Sequence, residues 1–257
     1  MEPYGIWVSY YTIVRKELVR LFRIWTQTLL PPVITSALYF LIFGKFVGSQ
    51  VAPIHGVSYM QFIVPGLVMM AVITNSFMNT AFSFYSAKFQ KTVEELLVSP
   101  TPYLIVVLGH ISSGVLRGLI TATLILCVAL FFTSLTIHSI LITFLFVSLT
   151  AVVFSLAGLI NGVFANSFDS VSIFPTFVLT PLTYLGGVFY SVDVLPSFWQ
   201  YVSYANPILY MVNGFRYGLL GVSDTNIVLS AGVLSGLILL LVSINYWLFK
   251  TGRGLRA

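Results

Sequence analysis

The side chains of this chain that are able to make or break bonds do not assemble into any known machinery. His55, His110 and His138 fall in or near three different connections, without partners at metal-ligand spacing, so they read as surface or interface histidines. Cys127 is the single cysteine and lies inside an apolar block. One thiol makes neither an internal disulfide nor a metal site, and Cys127 reads as a small packing residue. The seven acidic residues are dispersed, and none pairs with another inside an apolar block. The sequence holds no G-x-x-x-x-G-K-[ST] phosphate loop, no G-x-S-x-G and no H-E-x-x-H. An intramembrane hydrolase or proton relay would show buried acids or a nucleophile beside its base. The chemistry that remains is fixed charge used for pairing, docking and orientation.

That charge sits in a few places. Arg15, Lys16, Arg20 and Arg23 form a basic face near the N-terminus. Lys88, Lys91, Glu94 and Glu95 form the one charge-dense stretch between two apolar blocks. Arg117 stands well inside an apolar block, between Gly114 and Gly118. A charge at that depth costs about 2.5–3.5 kcal/mol or more unless it is paired or reaches water. Arg117 either snorkels to the surface or faces a polar path or pairs across an interface, and both readings stay open.

The elements that hold these charges are membrane helices. The chain is 58% hydrophobic and 7% charged, against about 25% charged in soluble proteins. Its apolar residues fall in blocks long enough to cross a bilayer. The first block, near Trp25, is too long for a cleaved signal peptide and reads as an uncleaved span. The expected fold is all-α, with transmembrane helices at 26–47, 59–85, 103–133, 140–164, 171–190 and 226–249. Pro31-Pro32 predicts a kink or a late start in the first. Asn75 and Asn79, four apart, face other helices rather than lipid. Glycine pairs at Gly114/Gly118, Gly158/Gly162, Gly214/Gly218 and Gly232/Gly236 suggest close helix packing.

Residues 4–24 read as an amphipathic interfacial helix, with Trp7, Tyr11, Val14, Leu18, Leu21 and Trp25 at helical steps. It is a positive flank for the first span or a helix that also meets a cytoplasmic partner. Residues 87–98 read as a helix with Phe89, Val93, Leu96 and Leu97 on one side, stopped by Ser99-Pro100-Thr101-Pro102. A solvated face and a docking helix for a cytoplasmic protein are both consistent with it. Six spans place both termini on one side, together with nine basic residues: Arg15, Lys16, Arg20, Arg23, Lys88, Lys91, Lys250, Arg253 and Arg256. Only Lys45 and Arg216 lie near the other interface. That asymmetry puts both termini in the cytoplasm, and it is a membrane-topology pattern rather than a nucleic-acid footprint.

Residues 191–216 behave neither as a span nor as a solvated loop. Short apolar-aromatic pieces are broken by Pro196 and Pro207, which fits two short helices re-entering the outer leaflet. Asn206-Pro207 reads as a helix start, with Asn as N-cap and Pro at the first helical position. Trp199, Tyr201, Tyr204 and Tyr210 would lie at headgroup level.

From Leu179 to Arg216 the chain reads L-x2-L-x2-L-G-x-V-x6-L-P-x10-P-I-x-Y-x5-R. Leu179, Leu182, Leu185, Gly186, Val188, Leu195, Pro196, Pro207, Ile208, Tyr210 and Arg216 carry a pattern that resembles type-2 ABC transporter permeases. The order of elements along the whole chain is similar as well. The resemblance implies an exporter permease of the bacterial inner membrane that works as a dimer, usually of identical chains, with two copies of a separate ABC ATPase on the cytoplasmic side. ATP and Mg would be bound by that ATPase and no cofactor by this chain. Arg15, Lys16, Arg20, Lys88, Lys91, Glu94 and Glu95 would then couple to the ATPase. Leu195, Pro196, Pro207, Tyr210 and Arg216 would form the external gate, with 26–47 and 171–190 facing the second permease. A secondary transporter, or a membrane-embedded enzyme or assembly scaffold, is the alternative. The former predicts inverted repeats and intramembrane acids, and neither is visible in the sequence. No residue selects among polysaccharides, lipids, lipid-linked glycans, drugs and peptides as substrate.

Overall fold

The computed structural model describes residues 3–48 and 50–255; Arg256, counted above with the cytoplasmic charges, lies outside them. Among the described residues the chain is helical, apart from an isolated antiparallel bridge between Ile54 and Val57. The helices are α1 (Pro3–Arg23), α2 (Trp25–Tyr39), α3 (Tyr59–Phe89), α4 (Thr92–Val98), α5 (Tyr103–Ala129), α6 (Ile140–Phe164), α7 (Phe168–Phe174), α8 (Thr180–Tyr184), α9 (Ser197–Ala205), α10 (Pro207–Leu220) and α11 (Ile227–Thr251). A π-helical stretch, Phe40–Val47, prolongs α2, and another, Pro175–Leu179, joins α7 to α8.

Among the described residues five helices are long and apolar enough to cross a membrane: Trp25–Val47, Tyr59–Phe89, Tyr103–Ala129, Ile140–Phe164 and Ile227–Thr251. The block at 171–190 does not form a sixth continuous one. Pro175 and Pro181 lack the N–H groups an α-helix needs there, so the segment changes to π geometry at Pro175 and stops at Tyr184. Thr180 Oγ1 takes up the Pro175 carbonyl at 3.0 Å, and Gly187, at φ +69°, turns the chain away. The block at 103–133 also ends early, at Ala129. The charged helix is shorter than 87–98, because α3 runs on to Phe89 and α4 starts only at Thr92.

Local chemistry explains the firm boundaries. Ser58 and Gln61 form a reciprocal capping box at the start of α3. Asn226 Oδ1 accepts from the N–H groups of Val228 and Leu229 to start α11. The doublet Pro31-Pro32 does not delay α2, which begins at Trp25 and runs through both prolines.

Helix α3 is the centre of the bundle and packs on α5, α6 and α10. Its most apolar window is 72% buried, against 11% for those of α2 and α11, so these two helices present their apolar surface outward. Close approach depends on the glycines: a Cβ on Gly158 would strike the Phe77 carbonyl of α3, and one on Gly118 would strike Ser76 Oγ. Gly232 and Gly236 have open space instead. Cys127 is exposed on α5 and contributes nothing to the core, contrary to the packing role expected of it.

Candidate functional site

At one end of the bundle α1 lies against α5, burying Ile13, Glu17 and Leu21, while Trp7, Tyr11 and Trp25 point outward. The buried stripe contains a carboxylate. Glu17 Oε2 accepts from Ser83 Oγ at 2.5 Å, Arg20 Nη2 at 3.0 Å and Ser113 Oγ at 3.3 Å. Arg20 Nη2 also reaches Oδ1 of Asn79, whose Nδ2 donates to Ser113 Oγ at 2.9 Å. Burial on its own would push the Glu17 carboxyl up, but His110, Arg20 and the Ser83 hydroxyl outweigh it and hold the group below the usual carboxylate range. His110 is no surface histidine: it is buried in α5, edge-on to Phe84, with Nδ1 2.9 Å from the Val106 carbonyl.

Helix α4 sits beside α1, and a small cavity of about 200 Å³ between them is lined by Lys16, Glu17, Glu95, Leu96 and His110. Val93 anchors α4, while Glu94 and Glu95 are exposed in its first turn, where the helix dipole favours acids. Arg15, Lys16 and Lys91 are exposed too. Two of the residues expected on this charged surface turn inward. Arg20 serves Glu17, and Lys88 Nζ donates to the Val163 carbonyl at 2.9 Å, closing the C-terminal end of α6. Phe89 lies at the end of α3 and is exposed rather than packed with Val93.

Arg117 is paired across an interface. Pro32 has no N–H for the Thr28 carbonyl, its partner four residues back, and Arg117 Nη2 supplies a donor there at 3.1 Å. The same nitrogen donates to Asn75 Oδ1 at 2.8 Å. Arg117 and Arg20 both line a cavity of about 490 Å³ between α2 and α3, walled by Pro31, Tyr39, Leu67, Met78 and Phe82. The charge therefore also borders this cavity.

At the opposite end of α3 the motif from Leu179 to Arg216 becomes one packed unit. Asn206 Oδ1 accepts from Ile208 N–H at 3.0 Å, and Pro207 takes the first helical position, as the sequence predicts. Asn206 Nδ2 ties the turn to the Leu182 carbonyl at 2.6 Å. Leu195 is half-buried and Pro196 leads into α9, with the Leu195 carbonyl taken by Gln200 Nε2 at 2.9 Å. Tyr210 Oη donates to the Tyr204 carbonyl at 2.8 Å. Arg216 is fully buried: Nη2 donates to the Gly187 carbonyl at 2.6 Å and Nη1 to Asn213 Oδ1 at 3.0 Å. Its guanidinium lies 3.9 Å from the Phe62 ring centre and 3.8 Å from Asp224 Oδ2. Arg216 thus clamps the turn after α8 to the α10–α11 connection.

Glu17, Asn213 and Asp224 are the residues that spacing did not single out. Glu17 was legible in principle, as an acid three residues before Arg20 and one helical turn after Ile13. Asn213 was legible in the same way, three residues before Arg216 on α10, whereas Asp224 is joined to Arg216 only by the fold.

A sequence model described as ABC-2 type transporter matches residues 8–220. The chain is 55% identical to the inner membrane transport permease YadH of Escherichia coli K12 over 251 residues, 98% of each chain. It is 25% identical over 198 residues to nodulation protein J of Rhizobium leguminosarum bv. viciae, covering 77% of this chain and 76% of that one. It is 26% identical over the same length to nodulation protein J of Rhizobium meliloti.

Proposed function

The chain belongs to the ABC-2 type transporter family, and we propose that it is the permease subunit of an ATP-driven exporter of the bacterial inner membrane. On this reading two copies form the translocation path, and two copies of a separate ABC ATPase, which binds ATP and Mg, drive it from the cytoplasm. Both termini lie on that side. The observation that carries the reading is the gathering of α1 and α4 at one end of a helical bundle whose sequence has no phosphate loop of its own. Arg15, Lys16, Lys91, Glu94 and Glu95 are free to meet a partner there. The Glu17–Arg20 network fixes α1 on α3 and α5, so a push on α1 reaches the transmembrane helices rather than being lost in a hinge.

The outward apolar surface of α2 and the exposed Ile173, Phe174 and Phe177 of the α7–α8 segment supply faces for the second copy. In this arrangement α7–α8 and its π-helical joint make the sixth crossing, and α9 and α10 re-enter the outer leaflet as an external gate. Trp199 and Tyr201, both exposed, would sit at headgroup level. Replacing Glu94 and Glu95 together by Ala tests the docking surface. The expected result is loss of ATPase co-purification from membranes that still contain the permease. Unchanged co-purification and transport would remove α4 from the docking surface.

A further inference from the structure

We propose a divalent transition-metal site, of the kind that takes zinc, built by His55, Asp193 and Asp224. The three residues come from three connections far apart in sequence, and one ligand atom from each lies within 4.8 Å of the others. His55 Nε2 is 3.1 Å from Asp224 Oδ1 and 4.0 Å from Asp193 Oδ2. Ligands at about 2.0–2.1 Å from a tetrahedral zinc stand about 3.3–3.4 Å apart, so the first pair is already close to the required spacing. Asp193 has the freedom to close the second gap, because its side chain is 64% exposed. Ser191 Oγ lies 3.3 Å from His55 Nε2 and 3.0 Å from Asp224 Oδ1, leaving the fourth corner to that hydroxyl or to water.

The surroundings hold the ligands in place. His55 and Gly56 form the two-residue tip of the Ile54–Val57 bridge, both with positive φ, which aims the imidazole at the other two connections. The Asp224 side chain is fully buried, and its Oδ2 accepts from Val192 N–H at 3.3 Å and faces Arg216. Oδ1 faces His55 Nε2 and accepts from Ser191 Oγ at 3.0 Å, so an ion bound there would replace the direct His55–Asp224 contact, with the carboxylate oriented by its outer partners. One imidazole with two carboxylates suits zinc. Magnesium and calcium take all-oxygen sets. A bound ion would staple the loop before α3, the segment before α9 and the loop before α11. The site depends only on these connections and not on the transport reading.

The test is titration of the detergent-purified full chain with zinc chloride by isothermal calorimetry, with cobalt(II) absorption as a readout of coordination. We expect one zinc per chain and a four-coordinate cobalt spectrum. His55→Ala and Asp193→Asn should each weaken binding by about tenfold or more, while His138→Ala leaves it unchanged. Both ligand variants alter exposed side chains, so they spare the buried Arg216–Asp224 pair. Absence of saturable zinc binding, or binding that is equal in the wild type and both variants, would overturn the proposal.

Discussion

Glu17 offers the sharpest handle on how α1 is fixed. Replacing it by Ala removes an acceptor shared by Arg20, Ser83 and Ser113, while Arg20 keeps Asn79 and Ser113 keeps the His110 carbonyl. Breaking a fully buried ion pair costs about 3–5 kcal/mol. Arg20, however, keeps 31% of its side chain exposed and can rehydrate, which discounts the ionic part. What remains is the loss of buried hydrogen bonds to a charged acceptor, and we expect about 2–4 kcal/mol for Glu17→Ala and about half of that for Glu17→Gln. For a chain of this size that is a fall in Tm of about 5–10 °C for the Ala variant, measured by intrinsic fluorescence of the purified protein. The pH dependence has a definite sign. Because the folded carboxyl is held low, its contribution is present above the ordinary glutamate pKa of about 4.3 and is lost as pH falls through the folded value. The gap in Tm between wild type and Glu17→Gln should therefore narrow in acid. A double-mutant cycle with Arg20→Gln decides whether the two residues act together. Additivity within about 0.3–0.5 kcal/mol would refute the network, as would a gap that widens in acid.

Arg117→Met should lower Tm by leaving the Thr28 carbonyl without its donor, at a cost of about 1–3 kcal/mol. Adding Pro32→Ala restores a backbone N–H to that carbonyl and should recover part of the loss; no recovery would show that Arg117 does not serve the proline-vacated group. Gly158→Leu should destabilise the bundle by about 1–3 kcal/mol or more, because its Cβ meets the Phe77 backbone, whereas Gly232→Leu stays within about 0.5 kcal/mol in the same thermal assay. Arg216→Ala strands buried Asp224 and should cost about 3–5 kcal/mol together with transport, and Pro207→Ala should impair transport with less effect on stability. Export that survives both changes in a folded complex would reduce α9 and α10 to a membrane anchor.

The parts of the fold governed by local chemistry could be read from the sequence, and the parts governed by tertiary contacts could not. The Ile140–Phe164 helix matches its expected bounds, because an uninterrupted apolar block has no competing choice within the membrane. Asn206-Pro207 was legible because an N-cap and an N1 proline act within two residues of each other. Asn75 and Asn79 do face other helices, and they do so to receive Arg117 and Arg20. The broken segment after Val171 was harder, since hydropathy is blind to the donors that Pro175 and Pro181 remove. Helix α1 has two faces, and its aromatic residues Trp7 and Tyr11 lie on the outward one while Glu17 lies on the buried stripe, a choice set by α5 and not by periodicity. Lys88 looked solvent-facing in sequence, yet the carbonyls at the end of α6 claim it. His55, Asp193 and Asp224 are dispersed along the chain and meet only because three connections converge.

The most direct test of this proposal is to co-express the chain with an ABC ATPase subunit, purify the assembly in nanodiscs, and measure its mass and its ATP hydrolysis together. We expect two permeases with two ATPases, and hydrolysis that falls when Glu94 and Glu95 are both replaced by Ala. A chain that purifies without any ATPase and transports on an ion gradient alone would contradict it.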